Sequence, residues 1–167
     1  MEEYGCILDI SHMDELAVLQ ALDRFHGPVI ASHAPPLSLL KERHSNRFIS
    51  DDVIRAIAER GGVIGLVTLN IFLDNYWKKG DNKNLVPLQR IVDQMDYICQ
   101  ILGTADHVGI GSDLDGGHGF LETPAELDTI ADIKKVLPML EEKGYSTDDI
   151  AGIYGKNWSR FILEALP

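Results

Sequence analysis

Cysteine, basic side chains and long apolar runs are all scarce in this sequence. Its two cysteines, Cys6 and Cys99, stand far apart in apolar segments, so they lack a metal-binding spacing and we expect both to be small buried apolar side chains. No apolar run approaches the length of a membrane span, which predicts no transmembrane segment within these residues. Glu2 and Glu3 stand where a signal peptide has basic residues, so we expect a cytoplasmic protein unless a further segment precedes Met1.

The deficit of positive charge argues against two classes of partner. The 15 Lys and Arg residues face 26 Asp and Glu residues, and the formal net charge is -11. Because phosphate contacts need clustered basic side chains, we expect no nucleic-acid partner and no binding to an anionic membrane surface. With 45% hydrophobic and 25% charged residues, the chain has the balance of a globular protein, and residues 1–167 are predicted to form a single domain.

What the sequence does contain is a repeated alternation of short apolar runs and amphipathic segments. Four apolar runs suit strands that are buried on both faces, namely "GCILDI", "PVIAS", "GVIGLVTL" and "HVGIGSD". Segments with helical spacing follow them, and Ser50 and Ser146 stand where helix N-caps are favoured. Pro138 is expected to break one helix, and residues 147–166 to form a single final helix. This order predicts an α/β fold in which helices cover a parallel sheet.

The number of predicted strands limits the architecture. A complete (β/α)8 barrel takes about 250 residues, and four strands are half of its sheet. Both outer strands are apolar, so we expect them to offer unpaired backbone without a charged residue in mid-strand to prevent pairing with another edge. We therefore expect the C-terminal half of a (β/α)8 TIM barrel, made of four parallel βα units plus a C-terminal helix. The N-terminal half is expected to be absent or supplied separately.

Polar side chains stand at or just beyond the ends of the predicted strands. His12 and His33 each follow a serine at the end of an apolar run, Asn70 follows the third run, and Asp113 closes the fourth. Because the carboxyl ends of parallel strands lie at one edge of a sheet, these side chains are expected to converge. Two neutral imidazoles on adjacent strand ends can bind one zinc ion, but the same spacing suits two histidines that hydrogen-bond loop backbone.

Two positions, Asp113 and Arg47, suggest further chemistry. Asp113 in "SDLDGG" is expected to face the site as a metal ligand or proton acceptor, whereas Asp115 is assigned to an Asp-Gly turn. Arg47 could bind a carboxylate through two hydrogen bonds, or it could be a solvated loop arginine. Three other histidines are expected to be structural or exposed: His26, His44 and His107. The role of His118 is left open, because it lies in the loop beyond Asp113.

Five stretches resemble, in order, the C-terminal half of the membrane dipeptidase (renal dipeptidase) family. They are "ILDISHMD", "PVIASHA", "RFISDDVIRAIAERGGVIG", "HVGIGSDLDG" and "GYSTDDIAGIYGKNWSRFI". The similarity covers nearly the whole chain. It implies a zinc metallopeptidase on a TIM-barrel fold of the amidohydrolase type, which cleaves dipeptides with two zinc ions.

The same resemblance implies roles for four residues. His12 and His33 would bind one zinc ion, Arg47 would hold the substrate carboxylate, and Asp113 would lie near the substrate amine and assist proton transfer. The family's ligands for the other ion and its bridging Glu belong to the N-terminal half. This chain is therefore expected to supply ligands for one of two zinc ions and to be inactive alone.

Two other functions stay open at this point. The chain could be a non-catalytic half-barrel that self-associates or complements a partner chain, which would remove its exposed sheet edges. It could also be a related amidohydrolase that acts on a different amide. In the leading interpretation its partners are a dipeptide substrate and either a second copy of the chain or the missing N-terminal half.

Overall fold

The computed structural model describes residues 2–40 and 45–166, and within them strands and helices alternate along the chain. The parallel strands are β1 (Leu8–Asp9), β2 (Val29–Ile30), β3 (Ile64–Leu66) and β4 (Val108–Ile110). The α-helices are α1 (Glu15–Arg24), α2 (Asp51–Glu59), α3 (Gln89–Leu102), α4 (Val136–Glu142), α5 (Thr147–Ala151) and α6 (Asn157–Ala165). The predicted α/β class is confirmed, although each strand is shorter than the apolar run that contains it.

The strands lie side by side in chain order. β1 pairs with β2 and β3 pairs with β4, both in parallel. A parallel bridge between Ala31 and Ile64 joins the two pairs just beyond the end of β2. There the Ala31 N–H donates to the Val63 carbonyl over 3.1 Å, and the Ala31 carbonyl accepts from the Gly65 N–H over 2.8 Å. All four carboxyl ends therefore lie at the same edge of the sheet.

The helices pack their apolar sides against the sheet and begin at the residues that the sequence indicates. Ser50 Oγ accepts a hydrogen bond from the Val53 N–H at the start of α2. Asp51 and Asp52 lie in the first turn of α2, where the helix dipole favours negative charge. The apolar side of α2 consists of three fully buried residues, Val53, Ile54 and Ile57. The removal of each of these side chains from water stabilises the fold by about 1.5–3 kcal/mol.

Two helix boundaries differ from the sequence prediction. Pro138 does not break a helix, because α4 begins at Val136 and the proline stands in its first turn, where a missing N–H costs no intrahelical hydrogen bond. The helix changes from 3₁₀ to α geometry before the proline, where the 3₁₀ segment at Ile130–Lys135 meets α4. The segment predicted as one final helix contains a wide π-type turn at Gly152–Lys156, which separates α5 from α6.

Along β4, the backbone groups of one residue hydrogen-bond to β3 and those of the next residue point away from β3. The His107 carbonyl accepts from β3 over 2.8 Å and the Gly111 N–H donates to β3 over 3.0 Å. Because hydrogen-bonding direction alternates along a strand, the carbonyl groups of Val108 and Ile110 point to the outer edge. These two carbonyls are the groups that an added strand would need.

Side chains close this outer edge, which corrects the prediction that both outer strands expose unpaired backbone. The Asn157 amide donates to the Ala105 and Val108 carbonyl oxygens, each over 2.8 Å. The Trp158 indole N–H donates to the Ile110 carbonyl over 3.1 Å. Both side chains stand at the start of α6, directly after the π-type turn. By contrast, within the described ranges β1 has β2 as its single strand partner.

No helix in residues 2–40 and 45–166 has the length and apolar character needed to cross a membrane. Of the two cysteines, Cys99 is buried as expected, whereas Cys6 is only partly buried, and both are free thiols. Burial raises the pKa of the Cys99 thiol to about 11, so this group stays protonated and unreactive near neutral pH.

Replacing Asn157 with alanine removes both hydrogen bonds from its amide to the sheet edge. Because the buried Ala105 and Val108 carbonyls lose these donors, we expect the free energy of unfolding to fall by about 1–3 kcal/mol, measured by urea denaturation. Asn84→Ala, at an exposed position, is the matched control and is expected to unfold at the wild-type urea concentration. Equal midpoints for the two variants would contradict the role assigned to Asn157.

Candidate active site

The two histidines predicted at the strand ends meet. His12 follows β1 and His33 follows β2, and their Nε2 atoms lie 2.8 Å apart. The rings meet edge to face, with centroids 4.9 Å apart and an interplanar angle of 68°. The parallel pairing of β1 with β2 brings them together, since they are 21 positions apart in the sequence.

Asp9, the last residue of β1, connects the two turns that carry the histidines. Its Oδ1 atom accepts the backbone N–H groups of Ser11 and Ser32, each over 3.0 Å. Ser11 Oγ accepts from the His33 N–H over 3.1 Å, and Ser32 Oγ lies 2.8 Å from His33 Nδ1. The contact at Nδ1 leaves Nε2 of His33 facing His12.

His12 and Asp113 both adopt left-handed backbone conformations, with φ of 69° and 56°. For residues other than glycine such a conformation costs roughly 1–3 kcal/mol, so neighbouring contacts must hold it. The hydrogen bond from the Ser11 N–H to Asp9 Oδ1 stabilises the start of the turn that contains His12. The bond from the Gly116 N–H to the Asp113 carbonyl, over 3.1 Å, closes the other turn.

Arg47 contacts His12 on one side and Asp113 on the other. Its Nη1 atom is 2.6 Å from His12 Nδ1 and 2.5 Å from His12 Nε2, and its Nη2 atom is 3.5 Å from Asp113 Oδ2. The guanidinium also lies over the Phe72 ring, 4.8 Å from the ring centroid. The Arg47 side chain is only 15% exposed, so it is not the solvated loop arginine of the alternative interpretation.

The surroundings of His12 favour its neutral form. Burial lowers the pKa of His12, and the nearby Arg47 and His33 lower it further against the opposing effect of the carboxylates. Neutral imidazole is the form that binds metal ions. Burial acts to raise the pKa of Asp9, but the hydrogen bonds from its serine neighbours together outweigh that effect and lower it.

Three other polar residues near the strand ends do not join this cluster. Asp115 is exposed in a turn, as the sequence indicates. Asn70 follows β3 but is fully buried, and its amide donates to the Thr123 carbonyl over 2.9 Å. Asp14 stands two residues after the first histidine, but its Oδ1 atom caps α1 by accepting the Leu16 N–H over 3.1 Å.

The remaining histidines lie elsewhere. His107 Nδ1 is 2.8 Å from the Gly62 carbonyl oxygen, which makes it a structural residue. His118 pairs with Glu122 over 3.0 Å in the loop after β4. His26 is exposed at the end of α1. His44 falls outside the described residues.

Reasoning from the sequence missed Asp9, Ser11 and Ser32. Two signals could have revealed them. A serine precedes each of the two histidines, and a carboxylate stands in an apolar run where a charge is unfavourable unless hydrogen-bonded.

The two imidazoles fit part of a zinc site. Nitrogen ligands of one tetrahedral zinc ion lie about 3.3 Å apart, given Zn–N distances of about 2.0–2.1 Å, and the Nε2 atoms of His12 and His33 are 2.8 Å apart. Within residues 2–40 and 45–166, no group of three or more His, Cys, Asp or Glu side chains is arranged to hold a metal ion. Because catalytic zinc usually has three protein ligands, this donor set is suitable in kind but incomplete.

Comparison with known proteins agrees with the motifs. The family model described as membrane dipeptidase (peptidase family M19) matches residues 1–166. Dipeptidase ataJ of Aspergillus terreus is 34% identical over 161 residues, which are 96% of this chain and 36% of that protein. An uncharacterized protein in the pqqA 5' region of Klebsiella pneumoniae is 32% identical over 155 residues, which are 93% of this chain and 53% of that protein.

A solved structure shares the fold. The metallo peptidase from Rhodobacter sphaeroides, liganded with a phosphinate mimic of the dipeptide L-Ala-D-Ala, superposes with a TM-score of 0.83 at 21% identity, covering 98% of this chain and 43% of that chain. The present chain spans about half the length of the curated relatives, or less. Because the family model matches nearly every residue, the chain belongs to the membrane dipeptidase family, peptidase family M19.

Proposed function

We propose that this chain is the C-terminal half of a (β/α)8-barrel metallodipeptidase, which hydrolyses the amide bond of dipeptides once the other half of the barrel is in place. The observation that carries the proposal is the convergence of His12, His33, Arg47 and Asp113 at one edge of the sheet. Four parallel strands in chain order are half of the eight that close a barrel. The greater length of the relatives supports the same architecture.

In this proposal His12 and His33 hold one zinc ion through their Nε2 atoms. When bound there, zinc would lower the pKa of a water molecule and so make it a nucleophile for the amide carbonyl. The neutral state favoured at His12 leaves its ring nitrogens able to act as ligands. The ligands of a second zinc ion are expected from the other half of the barrel.

Arg47 and Asp113 act on the substrate. The Arg47 guanidinium presents N–H donors in a planar fork that matches the two oxygens of the dipeptide's terminal carboxylate. Asp113 Oδ2 accepts the proton that the attacking water loses and returns it to the leaving amine. Because Arg47 Nη2 lies 3.5 Å from Asp113 Oδ2, a zwitterionic substrate that pairs with both groups must first separate them.

A second candidate function is a non-catalytic half-barrel that associates with itself. Exposed apolar side chains close to β1 in the chain favour it: Tyr4 is 83% exposed, Leu16 71% and Leu19 46%. Burial of this surface in a dimer would stabilise association. The molar mass in solution and the zinc content per chain distinguish the two candidates, since the second requires a dimer without bound metal.

The proposed activity is tested by assaying two proteins. The first is this chain alone, and the second, the extended enzyme, also includes any coding sequence contiguous with Met1. The substrate panel contains L-Ala-D-Ala, other dipeptides and N-acyl amino acids. We expect the extended enzyme to cleave dipeptides and the chain alone to be inactive. Cleavage of N-acyl amino acids but not of dipeptides would instead assign a different amidohydrolase activity.

Changing His12 or His33 to alanine is expected to abolish zinc binding at this site, because a single remaining imidazole cannot hold the ion. Zinc per chain is measured by elemental analysis after equilibrium dialysis against Zn²⁺. His26→Ala, which alters an exposed histidine, is the control and should retain wild-type zinc. Full zinc content in both site variants would reject the assignment.

Arg47→Ala in the extended enzyme is expected to lower kcat/KM for free-acid dipeptides by about 10- to 100-fold, since a charge-assisted hydrogen-bonded pair is lost. Dipeptide amides, which lack the terminal carboxylate, should be cleaved equally by the wild type and the variant. Arg47→Lys keeps the positive charge but loses the planar fork of N–H donors. Its kcat/KM for free-acid dipeptides should lie between those of the wild type and Arg47→Ala. An equal loss for acids and amides would show that Arg47 does not bind the carboxylate.

Arg47→Ala is also expected to raise the pKa of His12, because the variant removes a neighbouring positive charge and admits water to the ring. The His12 imidazole then gains a proton at a higher pH than in the wild type. NMR titration of the ring C–H signals in metal-free protein measures this shift. Arg55→Ala, which alters an arginine bonded to the Ile101 carbonyl, should leave the His12 titration unchanged, and an unmoved or lowered pKa in Arg47→Ala would contradict the expectation.

A further inference from the structure

The Asp9 carboxylate has a position for which neither the sequence motifs nor the family comparison accounts. Its Oδ1 atom accepts two backbone N–H groups that belong to different strand ends, those of Ser11 and Ser32, each over 3.0 Å. These are the residues directly before His12 and His33. One oxygen atom therefore bridges the two turns that carry the histidines.

We infer that Asp9 is a positioning residue for the proposed metal site. Asp9 holds the two imidazoles at the separation needed to share one zinc ion. The inference rests on the proposed function, because it concerns the same pair of histidines. Asp9 itself contacts neither ring, so it acts through the backbone and through the serine hydroxyl groups.

The path from Asp9 to His33 runs through both serines. Ser11 Oγ accepts the His33 N–H over 3.1 Å and lies 3.2 Å from Ser32 Oγ. Ser32 Oγ lies 2.8 Å from His33 Nδ1, which orients the ring with Nε2 toward the site. Such hydrogen bonds at the distal nitrogen are how proteins orient histidine ligands.

The path from Asp9 to His12 runs through the turn after β1. The bond from the Ser11 N–H to the Asp9 side chain is an Asx-turn, and the Met13 N–H closes the next turn on the Ile10 carbonyl over 3.0 Å. His12 has a left-handed backbone at the centre of this arrangement. Without the Asp9 oxygen, the turn can relax to a more favourable conformation and carry the ring away.

A carboxylate suits this role better than a neutral acceptor. An ionised oxygen makes stronger hydrogen bonds to N–H groups than an amide oxygen does. The aspartate is also fixed on a hydrogen-bonded strand, so its oxygen has little freedom to follow a moving turn. Asparagine at this position would keep the acceptor but lose the charge, which makes Asp9→Asn a graded test.

The experiment compares the wild type with Asp9→Asn, Asp9→Ala and the control Asp23→Asn, which alters an exposed aspartate of α1. Zn²⁺ affinity is measured by competition with a chromophoric chelator, and the coordination geometry by the visible spectrum of bound Co²⁺. We expect affinity to fall by about 10- to 100-fold, more in Asp9→Ala than in Asp9→Asn, with altered cobalt spectra. The control should match the wild type in both measurements.

A second, metal-free measurement separates this inference from the proposed function. In NMR spectra of the apo protein, the Ser11 and Ser32 amide protons should move upfield in both Asp9 variants, and the ring signals of His33 should shift in Asp9→Ala. If the wild type binds no zinc, the proposed metal site is wrong, and these NMR signals alone decide the role of Asp9.

Wild-type zinc affinity and cobalt spectrum in a folded Asp9 variant would overturn the inference, as would unchanged NMR signals. A variant with lowered thermal stability but wild-type metal binding would show that Asp9 only stabilises the fold, which also overturns it. If Asp9→Ala does not fold, Asp9→Asn decides the outcome, because it preserves the shape of the side chain.

Discussion

Parallel hydrogen bonding from β1 through β4 is the constraint on which the candidate site depends. A parallel sheet directs every carboxyl end to one edge, so residues from distant parts of the chain become neighbours there. Arg47 and Asp113 are 66 positions apart and yet form an ion pair. Antiparallel pairing of β1 with β2 would have placed His12 and His33 at opposite ends of the strands, and no shared ligand could reach both.

The two outer edges of the sheet are not equivalent, and this affects where a further strand can pair. At β4 the outward carbonyls already accept hydrogen bonds from Asn157 and Trp158, so a strand added there must displace side chains of α6. At β1 no such side-chain hydrogen bonds are found among the described residues, and exposed apolar residues such as Leu16 stand close to β1 in the chain. Backbone pairing with a further strand therefore costs less at β1 than at β4.

Arg47 links the electrostatics of the site to its chemistry. Its guanidinium lies between the neutral His12 ring and the Asp113 carboxylate, in a largely buried position against Phe72. The same positive charge that lowers the pKa of His12 is the group suited to a substrate carboxylate. In the proposed function, metal binding at His12 and substrate binding at Arg47 would both displace the contact between these two side chains, which would couple the two events.

The sequence by itself determined the features that depend on near neighbours. The cap at Ser50, the helical periodicity of α2 and the placement of His12, His33 and Asp113 after apolar strands all involve residues within a few positions of one another, so local pattern was sufficient. The tertiary structure alone decided which partners these groups acquire. Asp9 bonds to Ser32 across 23 positions, and Asn157 bonds to Val108 across 49, and a hydrogen bond to a distant backbone group leaves no periodic signal in the sequence.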